Sequence, residues 1–98
     1  MEALKQHMVE VNGTKPAVAD LILQKLGRHA DILAELKACV AVGEFPAANA
    51  VAVEGYTAKD IAALAPHLND VGVYAFLVTL RENPQKAKDI IARGFPRK

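Results

Sequence analysis

Residues 71–80 read VGVYAFLVTL, ten in succession without a charged side chain. A helix over this run is apolar on all sides, and such a helix is normally buried. One packed face cannot satisfy it. The remaining faces must be covered by the chain's other segments or by another molecule. Whatever the fold is, several elements have to gather around this segment.

The rest of the chain is cut into short pieces by helix breakers. Asn12-Gly13, Gly27, Gly43 with Pro46, Pro66, Asn83-Pro84 and Gly94 each mark a stop, through positive φ or a missing amide hydrogen. Between them the spacing predicts helices over 2–11, 15–26, 30–42, 58–65, 71–82 and 84–93. Leu4, Met8 and Val11 would face inward on the first. Val18, Leu21, Ile22 and Leu26 would do so on the second, with Leu23 widening the stripe. Ile32, Leu33, Leu36, Cys39, Val40 and Val42 form the stripe of the third, with Asp31, Glu35 and Lys37 set away from it. Ile61 and Leu64 point inward on the fourth, and Ala87, Ile90 and Ile91 on the sixth. Thr57 offers a cap with Asp60 three residues on, an imperfect capping box. The stretch PAANAVAVEG (46–55) has strand-like character in its AVAV core, residues 50–53. Without a second strand it makes no stable sheet, so it is expected as a loop. The expectation is an all-α fold: five or six short helices in a compact orthogonal bundle, one helical domain over residues 1–98.

Composition narrows the class further. Of the 98 residues, 52% are hydrophobic, which argues against disorder. The single cysteine, Cys39, excludes an internal disulfide and reads as a buried thiol. No apolar run reaches the ~20 residues that span a bilayer. The opening MEALKQHMVEV lacks the basic start and apolar stretch of a signal peptide. No membrane association and a cytoplasmic location are therefore expected. The net charge of +1 is unevenly spread: residues 1–80 balance at −3 and residues 81–98 at +4.

Residues 57–80 resemble a helix-turn-helix. Thr57, Ala58, Asp60, Ile61 and Ala62 match the opening pattern T-A-x-[DE]-[IL]-A. Asn69 and Asp70 stand at the cap, and Val73, Tyr74, Leu77 and Leu80 match V-[YF]-x-x-L-x-x-L. The resemblance implies a helix-turn-helix-like C-terminal half and a DNA-binding regulator. Its phosphate contacts would come from Arg81, Lys86, Lys88, Arg93, Arg97 and Lys98, which position a protein without reading sequence. The connection APHLND departs from the tight glycine turn of such motifs. The exposed positions of the second helix would be Asp70, Val71, Gly72, Ala75, Phe76, Val78 and Thr79. None is the Arg, Lys, Asn or Gln that reads base edges. The segments VEGYTAKDI, LRENPQKA and GFPRK are similar to small bacterial proteins with no assigned activity, which implies a bacterial origin.

Motifs for chemistry are missing. His7, His29 and His67 lie far apart, without the spacing of a metal site. No phosphate-binding glycine motif occurs, and serine is absent. No cofactor, metal or catalytic residue is expected, and the chain does not read as an enzyme. The uncharged helix suggests instead a non-enzymatic module that binds a protein partner or a second copy of itself through Tyr74, Phe76 and Val78. DNA binding is the alternative. A small apolar ligand beneath the 46–56 segment is a third reading.

Overall fold

The computed structural model describes residues 2–43 and 51–95. In chain order these form α1 (Glu2–Glu10), α2 (Pro16–Leu26), α3 (Ala30–Val42), β1 (Ala52–Val53), β2 (Tyr56–Thr57), α4 (Ala58–Leu64), α5 (Asp70–Glu82) and α6 (Pro84–Arg93). The fold is all-α, with one very small hairpin. Pro46 and most of the segment around it lie outside the described residues.

The helix ends follow local chemistry. Thr57 Oγ1 accepts the Asp60 amide at 3.3 Å and the Asp60 carboxylate accepts the Thr57 amide at 3.0 Å. The capping box therefore closes with aspartate in place of the usual Glu or Gln. Asn69 caps α5 by accepting the Gly72 amide at 2.7 Å. Asn83 serves two helices. Its amide donates to Thr79 at the end of α5, while its side chain accepts the Lys86 amide at the start of α6. Pro84 follows in the first turn, where its missing amide hydrogen costs nothing.

The AVAV stretch does find a second strand. Ala52 pairs with Thr57 and Val53 with Tyr56, antiparallel. Both turn residues take positive φ, 52° at Glu54 and 82° at Gly55, the pattern of the tight two-residue hairpin turn. Glutamate is unusual in that conformation. Here its carboxylate accepts Lys88 Nζ of α6 at 2.8 Å, tying the turn to the last helix.

α5 is the hub. It packs against α2, α3, α4, α6 and β1. Val71, Val73, Tyr74, Leu77, Val78 and Leu80 are all buried on it, so the chain itself covers most of the uncharged run. Ile32, Leu36 and Cys39 of α3, Leu23 and Leu26 of α2, and Leu4 and Met8 of α1 complete the core. Several inward expectations are corrected. Val11 lies past the end of α1 and is exposed, as are Val42 and Leu64 at the ends of α3 and α4. On α2 the buried face is Ala19, Leu23 and Leu26, and Val18 and Leu21 face solvent at 43% and 65% exposure. Glu35, expected outside, is buried at 7%.

Candidate functional site

The expected interaction surface does not form as a unit. Tyr74 and Val78 are completely buried in the chain's own core, because α3 and α4 as well as α6 close around α5. Phe76 alone of the three is half-exposed. It packs edge-on against Phe95, ring centroids 4.7 Å apart.

Tyr74 is held in a polar network that the helical spacing does not announce. Its hydroxyl donates to Glu35 Oε2 at 2.7 Å, and its oxygen lies 3.1 Å from Cys39 Sγ. With the phenolic proton directed at Glu35, the thiol is the donor to Tyr74. Glu35 Oε1 accepts the Val51 amide at 3.1 Å, so one carboxylate joins α3, α5 and the entry to the hairpin. Burial, with the Cys39 and Glu35 contacts, raises the Tyr74 phenol far above its ordinary value and keeps it protonated. Cys39 is 2% exposed. The trio is closed to any substrate and acts as an internal tie. A signal for it exists in the sequence: Glu35 stands three residues after Ile32 and four before Cys39, inside the stripe. Its charge argues the other way. Among the described residues no buried side-chain polar atom lacks a partner.

The open face of α5 builds a groove of about 260 Å³. Ala75, Phe76, Leu68, Ile90 and Phe95 give it an apolar floor and wall. Gly72 and Thr79 mark its two ends along α5. Gly94, at φ 86°, takes a conformation open to glycine and turns Phe95 back onto Phe76. Lys25 and His67 stand at the rim, and Lys25 Nζ donates to Thr79 Oγ1 at 3.2 Å.

α2 adds apolar side chains near Lys25: Val18 and Leu21 are exposed, and Ile22 is partly buried against the core. Val18, Leu21, Ile22 and Lys25 follow at three- and four-residue steps, so they share one side of the helix. Asp20 lies on the other side, where it pairs with Lys5 of α1 at 2.9 Å. The apolar stripe of α2 therefore runs up to Lys25, which is itself part of the groove wall. This surface is assembled from α2, the α4–α5 connection, α5 and the end of α6, and no single sequence window contains it.

Three of the four C-terminal cations among the described residues pair with carboxylates of the chain. Arg81 makes a two-pronged contact with Asp31, at 2.7 and 2.9 Å. That contact first, and burial against it, leave the Asp31 pKa lowered to about 2. Lys88 pairs with Glu54, and Arg93 with Asp89 at 3.3 Å. Lys86 is exposed, and Arg97 and Lys98 lie outside the described residues. The histidines do related work: His7 Nε2 meets Asp70 at 2.7 Å and His29 Nε2 meets Glu82 at 2.8 Å, one at each end of α5. Among the described residues, no three His, Cys, Asp or Glu side chains converge to hold a metal. None of the described helices is long and apolar enough to cross a membrane. No protein-family model, curated protein or solved structure matches this chain.

Proposed function

We propose that this protein is a non-enzymatic interaction module that docks a partner protein across the α2 stripe and the α5–α6 groove. The observation that carries this reading is the apolar groove beside Phe76 and Phe95, with Lys25 of α2 in its lining and Leu21 and Val18 exposed one and two turns before it on the same helix. Isolated exposed apolar residues are ordinary, whereas apolar side chains gathered at an open groove have the form of a binding site.

Nucleic acid is the weaker partner. The strip of α5 left open consists of Gly72, Ala75, Phe76 and Thr79, none of which hydrogen-bonds base edges as Arg, Lys, Asn or Gln do. Arg81, Lys88 and Arg93 would have to leave carboxylates of this chain to meet phosphates.

A photo-crosslinking amino acid placed at Leu21, in cells that make the protein naturally, tests the proposal. The control carries the same group at Lys59, an exposed position on α4. A discrete protein adduct at position 21, and none at 59, is the expected result. Adducts equal at both positions, or none at 21, would end the interaction-module reading.

A further inference from the structure

We propose that the partner presents an acidic amphipathic helix, its apolar side chains seated in the groove and on the α2 stripe and its carboxylates against Lys25. This deepens the interaction-module reading and rests on it. Three observations point to that chemistry.

The first is the charge of the wall. None of the described residues lining the groove is acidic, and its fixed charge is the Lys25 ammonium. The Thr79 contact uses one of the three donors on that ammonium and pins its position at the rim. Arg28 stands one turn beyond Lys25 on α2's exit, and Lys86 one turn before Ile90 on α6; both are exposed. Two carboxylates near these elements are paired with cations, Asp20 with Lys5 and Asp89 with Arg93; Glu82 hydrogen-bonds His29 and also feels Arg28 and Lys25 at longer range, so part of the basic charge is shared with it. An apolar floor with Lys25 in its wall, and with exposed cations on the neighbouring turns of α2 and α6, is complementary to an acidic, apolar segment.

The second is size. A space of about 260 Å³ suits an aromatic or branched side chain, and falls below the usual range for small-molecule pockets, from roughly 300 Å³ upward. The third is length. From Val18 to Lys25 the stripe runs about 10 Å along α2, or two helical turns. A small ligand in the groove would leave Val18 and Leu21 uncovered, whereas a helix laid along α2 covers both with residues at i, i+3 or i+4, and i+7.

The probe is a displayed library of random peptides of about 16 residues, roughly four helical turns, selected against the full chain. Enriched sequences should carry apolar residues at helical spacing with Asp or Glu between them. Their binding should fall at least about tenfold with Lys25→Glu and again with Phe76→Ala, and weaken as salt rises. Lys25→Gln, which removes the charge without reversing it, should give an intermediate loss. Circular dichroism on each variant separates lost binding from lost folding. Neutral or basic winners that still respond to Phe76→Ala would overturn the acidic partner while leaving the docking groove in place. Winners indifferent to both Phe76→Ala and Leu21→Asp, or no enrichment, would remove the groove reading itself. Dodecanoate competing more tightly than the best peptide would assign the site to a small apolar carboxylate and overturn the helix. A stable dimer that Leu21→Asp splits would assign the surface to a second copy and overturn it equally.

Discussion

α2 and α5 are both apolar helices of similar length, and the fold treats them in opposite ways. α5 is enclosed by four helices and β1, and six of its side chains are buried. α2 buries Ala19, Leu23 and Leu26, and turns Val18 and Leu21 to solvent. Apolar content alone does not decide this. Position does: α5 lies at the centre of the packing, with α2, α3, α4 and α6 each meeting a different part of it. α2 meets α1, α3 and α5 and has one side left over. The apolar side chains a chain cannot cover for itself are those available to something else.

The sharpest way to break the comparison is to cut one leucine from each helix. Leu77→Ala removes a completely buried side chain, and a substitution of that kind costs about 2–5 kcal/mol. Denaturant unfolding reads the loss directly. A value under ~1 kcal/mol would mean that α5 is not the enclosed hub described above.

Tyr74→Phe probes the one polar feature of the enclosed helix. It takes the donor from Glu35 Oε2 and the acceptor from Cys39. Leaving such groups buried and unmatched costs about 1–3 kcal/mol. The same unfolding assay should show it, together with faster hydrogen exchange at the Val51 amide, since Glu35 is the shared partner. A fully stable Tyr74→Phe protein would show that water reaches Glu35.

The breakers punctuating the chain make the helices and their order legible from the residues alone. Which way each helix turns is less so. Val18 and Leu21 fit an inward stripe as well as Ala19 and Leu23 do by spacing, and only the approach of α1, α3 and α5 settles which set is covered. The charge of Glu35 points it outward, although its position in the α3 stripe is central. What the α3 stripe lacks is its partner, the hydroxyl of Tyr74, a donor buried thirty-nine residues away. The hairpin is hidden because Glu54-Gly55 is not among the usual turn pairs, and its stabilising contact with Lys88 is distant in sequence. Phe76 is legible as a side chain on the part of α5 that stays partly open. Its groove is not, because Lys25, Leu68 and Phe95 come to it from three other segments.

A smaller effect separates the surface ties of α5 from its core. Asp31, held by Arg81, has its pKa lowered from 3.8 to about 2. A depressed carboxylate stabilises the fold above its unfolded value, and that contribution fades as pH falls through the folded one. Stability from this pair is therefore intact at neutral pH and is lost between about pH 4 and pH 2. The pair is well exposed to solvent, which limits it to under about 1 kcal/mol. Glu82 is lowered as well, chiefly by the His29 hydrogen bond, so that contact shifts in the same direction as pH falls. Unfolding midpoints of wild type and Asp31→Asn isolate the first pair: the gap between them should narrow toward pH 2. A constant gap would mean that the ionised Asp31 adds no stability, neither through Arg81 nor through the Ile32 amide.

Leu21→Ala should have the least effect on folding and carries the most about function. At 65% exposure the side chain has little to lose on truncation, and stability should stay within about 0.5 kcal/mol of wild type. Alanine also favours the helix slightly over leucine. Binding is where the two leucines part. As one of the few anchors of the interface, Leu21 should cost more than ~1 kcal/mol, roughly fivefold or more in affinity, when truncated. Measured against the same peptide ligand, Leu21→Ala should lose affinity without losing stability, while Leu77→Ala loses stability first. If Leu21→Ala instead destabilises the isolated chain as strongly as Leu77→Ala, then α2 is covered from within, and its stripe belongs to the core.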